Sequence, residues 1–185
     1  MKQGFSSEPL TRWNGSRNMI LEEDFYYIDE HLKQWSAPKG SHLNGATIPR
    51  SLWTTIGSPY VGLYRRASIL HDVAVGELRS DVTVTSAERR LADRMFYSAC
   101  RFDGCSQRFA SLLYIGVRFG SWMAHLPERY DKVSLHVNDE EMRSNDDVES
   151  VIQRYWSVAD NSESLIDDED LDAIDFLIDD TFDGE

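Results

Sequence analysis

The apolar residues of this chain change their spacing partway along it, and that change limits the fold more than any other feature. Within residues 17–37 they come in short bursts, MIL at 19–21 and FYYI at 25–28. Such bursts, interrupted by polar residues, fit strands of a small antiparallel sheet. From residue 61 onward they recur every three or four positions, the period of a helix buried on one face. Between the two regimes lies APKGSHLNG, where Pro38, Gly40 and Gly45 forbid a continuous helix. Pro49 then biases Ile48 towards extended backbone, so TIPR enters a new element, with a short helix expected at SLWTTIG up to Gly57.

Three longer helices follow. In VGLYRRASILHDVAV, residues 61–75, Leu63, Ala67, Leu70 and Ala74 share a face with Ile69 and Val73 beside it, and His71 and Asp72 lie at its edge. Thr85 and Glu88 have the spacing of a capping box ahead of Leu91, Ala92, Met95, Phe96 and Ala99. Gly104 suits a left-handed stop. Ser106 opens a third helix, whose Gly116 and Gly120 each cost about 1 kcal/mol against Ala and so imply close approach by another backbone. Pro127 ends it. Residues 131–150 read as a polar connector with one strand, KVSLHV, and residues 151–158 as a short helix or strand docking through Ile152, Tyr155 and Trp156. The fold expected is α+β: a small N-terminal antiparallel sheet packed on a bundle of about three helices, with an acidic C-terminal tail.

Charge divides the chain differently. It carries 32 acidic and 19 basic residues, but twelve of the acids follow residue 159 and no Lys or Arg follows Arg154. Residues 1–159 are therefore nearly neutral, which suggests a single domain over 1–158 and a tail over 159–185. The tail also holds apolar residues at helical spacing: Leu171, Ile174, Leu177 and Ile178 on one face, flanked by Phe176 and Phe182. Apolar anchors set in acid suit a segment that folds into a groove lined by basic residues. The docking surface could be the slightly basic stretch 50–132 of the same chain, a second copy or another protein. On this reading, removing residues 160–185 abolishes association and leaves the body folded. The sign of the charge argues against nucleic acid as a direct partner.

With 8 Phe, 8 Tyr and 5 Trp the chain can build a core. No apolar run reaches the ~18 residues of a membrane span, and MKQGFSSEPLTRWNGS lacks the apolar stretch of a signal peptide. Both point to synthesis in a cytoplasm. Cys100 and Cys105 have neither CxxC spacing nor the number expected of a disulfide scaffold. Cys100 reads as a small buried hydrophobe on a helix, Cys105 as part of the loop after it.

The ordered set WSAPKG, NGATIPRSLW, ASILHD, LADRMF and LLYIGVRFGSW resembles the phage and prophage family known as domain-of-unknown-function family 1353, over about residues 18–122. The family pattern runs Thr-Asp-Gly-Ala-Ser-Ile-Pro-Arg, then His-Asp, then an Ala-Asp-Arg helix. Asn44, Gly45, Thr47, Pro49, Arg50, His71, Asp72 and Asp93 stand at the matching positions. The resemblance implies an α+β fold and a phage setting, and it assigns no reaction. Asn44 departs from the pattern, which has Asp there, and Asn supplies neither charge nor a good metal ligand.

Two readings of these residues follow. In one, Asn44, Thr47, Arg50, His71, Asp72, Asp93 and Arg94 form a structural polar network that seats a loop on two helices. In the other, His71, Asp72 and Asp93 are catalytic, with a His oriented by carboxylate as general base or a divalent metal that activates water. Adjacent residues on a helix point about 100° apart, so His71 and Asp72 need not converge. The remaining histidines, His31, His42, His125 and His136, are scattered and not expected to bind metal. The expectation is a non-catalytic phage-type interaction protein, a structural or assembly component of a virion or tail. It would need no cofactor and no membrane, and would bind phage structural proteins or itself through Leu171, Ile174, Phe176, Leu177, Ile178 and Phe182. A host-cytoplasmic protein that can join the virion fits this. The alternatives are a small metal- or His-Asp-dependent hydrolase, virion- or lysis-associated, and an inhibitor of a host protein.

Overall fold

The structure is a computed structural model that describes residues 2–15, 18–45, 62–76, 83–124, 145–167 and 169–183. The stretches TIPR, SLWTTIG and KVSLHV lie outside these residues. The described residues form two compact units, one drawn from residues 2–45 and 62–106 and the other from residue 107 onward.

The first unit opens with six short strands: β1 Gly4–Phe5, β2 Thr11–Trp13, β3 Met19–Leu21, β4 Phe25–Ile28, β5 Gln34–Ala37 and β6 His42–Leu43. They form two antiparallel sheets, ordered β1-β4-β5 and β2-β3-β6, where the sequence suggested one. The two apolar bursts are the two central strands. FYYI pairs Tyr27 with both Phe5 and Trp35, and MIL pairs Met19 with both Trp13 and Leu43. The edge strands GF, TRW, QWSA and HL are too short to announce themselves. Along β4, Phe25 and Tyr27 are buried while Tyr26 faces out, the alternation a one-sided sheet requires.

Two helices, α1 Arg65–Ala74 and α2 Ser86–Phe102, complete this unit. The capping box at the start of α2 is present: Thr85 Oγ1 accepts from the Glu88 N–H at 3.3 Å, and Glu88 Oε2 accepts from the Thr85 N–H at 2.8 Å. The rings of Phe5, Tyr27 and Phe102 meet with centroids 4.7 to 5.9 Å apart, joining sheet β1-β4-β5 to the end of α2. Tyr27 extends the joint with its hydroxyl, which bonds Ser98 Oγ at 3.1 Å and accepts from Gln3 Nε2 at 2.9 Å. Burial raises its pKa above the ordinary tyrosine value. Arg66 of α1 stacks over the Phe5 ring and forks onto the Asp103 carboxylate just past α2. That fork raises the guanidinium pKa further.

The second unit contains α3 Gln107–Ala124, α4 Asn145–Asn161, α5 Glu163–Asp167 and α6 Leu171–Asp183. The third expected helix thus belongs with these, and not with α1 and α2. Helix α4 begins inside the supposed connector and takes in Ile152, Tyr155 and Trp156, so residues 151–158 are helical. Among the described residues the two units meet at 106/107. Residues after 159 pack here as helix: Ile166, Ile174 and Ile178 are buried on helices that contact α3 and α4, where Leu113, Tyr114, Val117, Tyr155 and Val158 are buried too. Gly116 and Gly120 of α3 are buried as well.

An acid helps to seat α6. Asp175, 2% exposed, accepts from Tyr114 Oη and from Arg118 Nε, both at 2.7 Å. Arg118 Nη2 reaches Asp179 at 3.1 Å. Removing one partner of such a pair leaves a buried charge exposed to an apolar surround, at a cost of about 3–5 kcal/mol. Arg118→Ala should therefore lower stability by about that amount in urea unfolding followed by circular dichroism. Truncation before residue 160 should melt helix α3 as well, since it strips three buried isoleucines from that unit. This replaces the expectation that such a truncation spares the fold.

Candidate functional site

Helix α1 is amphipathic, and its buried stretch runs from Ala67 to Asp72. His71 and Asp72 therefore both point inward, from adjacent positions and in different directions. His71 Nε2 donates to Asp93 Oδ1 on α2 at 2.6 Å, and neither side chain has any exposed surface. The Phe96 ring meets the imidazole edge-on, with centroids 5.4 Å apart. Asp72 turns the other way: its Oδ2 accepts the backbone N–H groups of Asn44 at 3.0 Å and Gly45 at 2.8 Å. Gly45 has φ +87°, a conformation that costs glycine nothing and other residues about 1 kcal/mol or more.

The structure thus brings together His71 with Asp93, and Asp72 with the 44–45 turn. Asn44 takes part through its backbone, so the Asp-to-Asn difference from the family pattern leaves this bond intact. An Asp at 44 would also set a second carboxylate beside Asp72. Arg94, half-buried, follows Asp93 on α2. Thr47 and Arg50 lie outside the described residues. His31, in the turn between β4 and β5, and His42, on β6, are both exposed.

With Nε2–H given to Asp93, the imidazole has one remaining nitrogen. His71 Nδ1 is buried and makes no hydrogen bond among the described residues. A general base would work through that atom, but it needs a substrate proton within about 3 Å. Here the ring is sealed, so the arrangement binds helix to helix and a turn to a helix. Among the described residues no three His, Cys, Asp or Glu side chains converge to hold a metal.

The proposed partner-binding residues divide. Ile174 and Ile178 are 0% exposed and belong to the core of the second unit, so they are unavailable to a partner. Leu171 and Leu177 are half-buried, and Phe176 is 73% exposed. Phe182 lies in α6, and its side chain is outside the described set. Sequence reasoning missed the Tyr114, Arg118 and Asp175 cluster. Its signal is there: Arg118 is the one charge in FASLLYIGVRFGSWMA, and Asp175 follows Ile174 on the apolar side of α6.

Both joints carry a stability prediction. Asp72→Ala orphans two amides and should cost on the order of 3 kcal/mol. His71→Leu and Asp93→Leu should each destabilise by about 3–5 kcal/mol, and the double variant by less than either single one. Urea titration of the four proteins measures that coupling; additive losses would mean the pair is not a unit.

Comparison with known proteins agrees with the residue pattern. The family model described as "Protein of unknown function (DUF1353)" matches residues 19–117. Two relatives come from Sinorhizobium fredii (strain NBRC 101917 / NGR234). Uncharacterized protein y4jT is 40% identical over 52 residues, 28% of this chain and 16% of that protein. Uncharacterized protein y4iH is 31% identical over 98 residues, 53% of this chain and 38% of that protein. The chain therefore spans well under half the length of either. No solved structure matches. The family match runs from β3 into α3 and takes in Asn44, Gly45, His71, Asp72 and Asp93; on that extent, more than half of its length, the chain belongs to the DUF1353 family.

Proposed function

We propose that this chain is a non-catalytic interaction protein, of the kind that serves as a structural or assembly component of a phage particle. It engages a basic protein partner through the outward face of α6. The observation that supports this most is Phe176, 73% exposed on a helix whose Ile174 and Ile178 turn inward. Exposed Asp172 and Asp180 stand one helical turn to either side of it. An aromatic anchor ringed by acid fits an apolar recess with a basic rim, where charge steers the encounter and the ring supplies the affinity. The sealed His71–Asp93 pair is in keeping with a framework role. No helix among the described residues is long and apolar enough to cross a membrane.

The test is capture of a partner from phage-producing cells, followed by titration of the purified pair. Phe176→Ser should weaken binding at least ~10-fold, equivalent to about 1.4 kcal/mol, and added salt should weaken the wild-type complex. Equal affinity for both proteins would end this reading.

A hydrolase built on His71 is the second reading, and the buried Nδ1, without a hydrogen bond among the described residues, is the observation in its favour. Protein purified without chelators should carry no stoichiometric divalent metal. Metal bound by the wild type and lost in a folded His71→Ala variant would put the hydrolase first.

A further inference from the structure

Helix α2 ends in a turn that brings the two cysteines together. Gly104 has φ +93°, its N–H reaches the Arg101 carbonyl at 3.1 Å, and the Cys105 N–H reaches the Cys100 carbonyl at 3.0 Å. This is a Schellman stop, which pairs the side chains on either side of the glycine. The partners here are two thiols near enough for each to shift the other's acidity. Covalent geometry around the 3.0 Å bond caps their Cα separation at about 7 Å, and a disulfide needs roughly 4.4–6.8 Å. Both thiols are free. Cys100 has no exposed surface, whereas Cys105 is 2% exposed and sits between exposed Gly104 and Ser106. The Arg101 guanidinium bonds the Cys105 carbonyl at 2.9 Å and keeps a positive charge at the turn.

We propose that Cys100 and Cys105 form a dithiol site that a peroxide converts to an intramolecular disulfide. The outer sulfur reacts first. The Cys105 thiolate attacks one peroxide oxygen, the O–O bond breaks, and the hydroxide released takes a proton to become water. Cys105 is then a sulfenic acid. The Cys100 sulfur attacks the Cys105 sulfur, the S–O bond breaks, and the departing hydroxide leaves as water with the Cys100 proton. Two thiols and hydrogen peroxide become one disulfide and two waters, with two electrons passing from sulfur to oxygen. The order of attack agrees with the acidities. The hydrogen bond from Cys100 holds the Cys105 thiol below the ordinary value despite its burial, while burial pushes Cys100 well above it. The bond would lock the Gly104 turn immediately before α3 begins at Gln107.

The sequence supplies the assay. Arg94, Arg101 and Arg108 place the two cysteines in separate tryptic peptides, 95–101 and 102–108. Reduced, folded protein is exposed to hydrogen peroxide, then denatured, alkylated with iodoacetamide and digested without reductant. The expected product joins the two peptides at a mass two hydrogens below their sum, and forms faster in folded protein than in protein held in urea. In Cys105→Ser the link is lost, and Cys100 is alkylated only after unfolding. Recovery of both peptides alkylated, Cys105 carried on to sulfinic acid without a link, or a link joining two isotopically distinct chains would each overturn the proposal. So would linking no faster in the folded state.

Discussion

Two adjacent residues of α1 join three parts of the first unit. His71 reaches across to Asp93 of α2, and Asp72 reaches back to the amides of the 44–45 turn that follows β6. Neither bond can move without the other, because both side chains leave the same turn of helix. Each is buried, where an unpaired charge or amide costs several times what its bond contributes in water. The position of α1 against α2, and of the last strand against α1, follows from this. The residues that stand out in sequence as a candidate site thus form two buried joints of the first unit.

The second unit uses the same physics for another purpose. A chain end with twelve acids and no base reads by charge alone as a solvated tail, and by its apolar spacing as a segment that docks. It presents two carboxylates, buried Asp175 and half-buried Asp179, to the buried Arg118 guanidinium, with Ile174 and Ile178 buried on the same helix. Ile174 and Ile178 are consumed within the chain, whereas Phe176 stands exposed between exposed Asp172 and Asp180. The family match stops at residue 117, just short of Arg118. The acidic helices therefore lie outside the part of the chain that the family pattern describes.

Much of the fold is legible because much of it is local. The capping box closes over three residues, the Schellman stop over five, and the two central strands announce themselves as runs of apolar residues. The edge strands are not legible, because runs of two to four residues acquire strand geometry only from the neighbour they pair with. The candidate residues were likewise visible as a set, through their order along the chain. Their grouping was not: His71 and Asp72 look like one site and serve two, and Ile174 and Ile178 look like contacts for a partner and are core.

From the sequence alone come the α+β class, the helix starts and stops around α2, the family, and the sharp separation of charge. All of these depend on residues within a few positions of one another or on simple order. Only the tertiary structure decides that the His–Asp pair is closed to solvent, and that the acidic end is helix packed on α3. Those outcomes rest on partners 22 residues apart for His71 and Asp93 and 57 apart for Arg118 and Asp175. A charge is stabilising or ruinous according to what it meets once water is gone, and that meeting is arranged by packing, not by spacing.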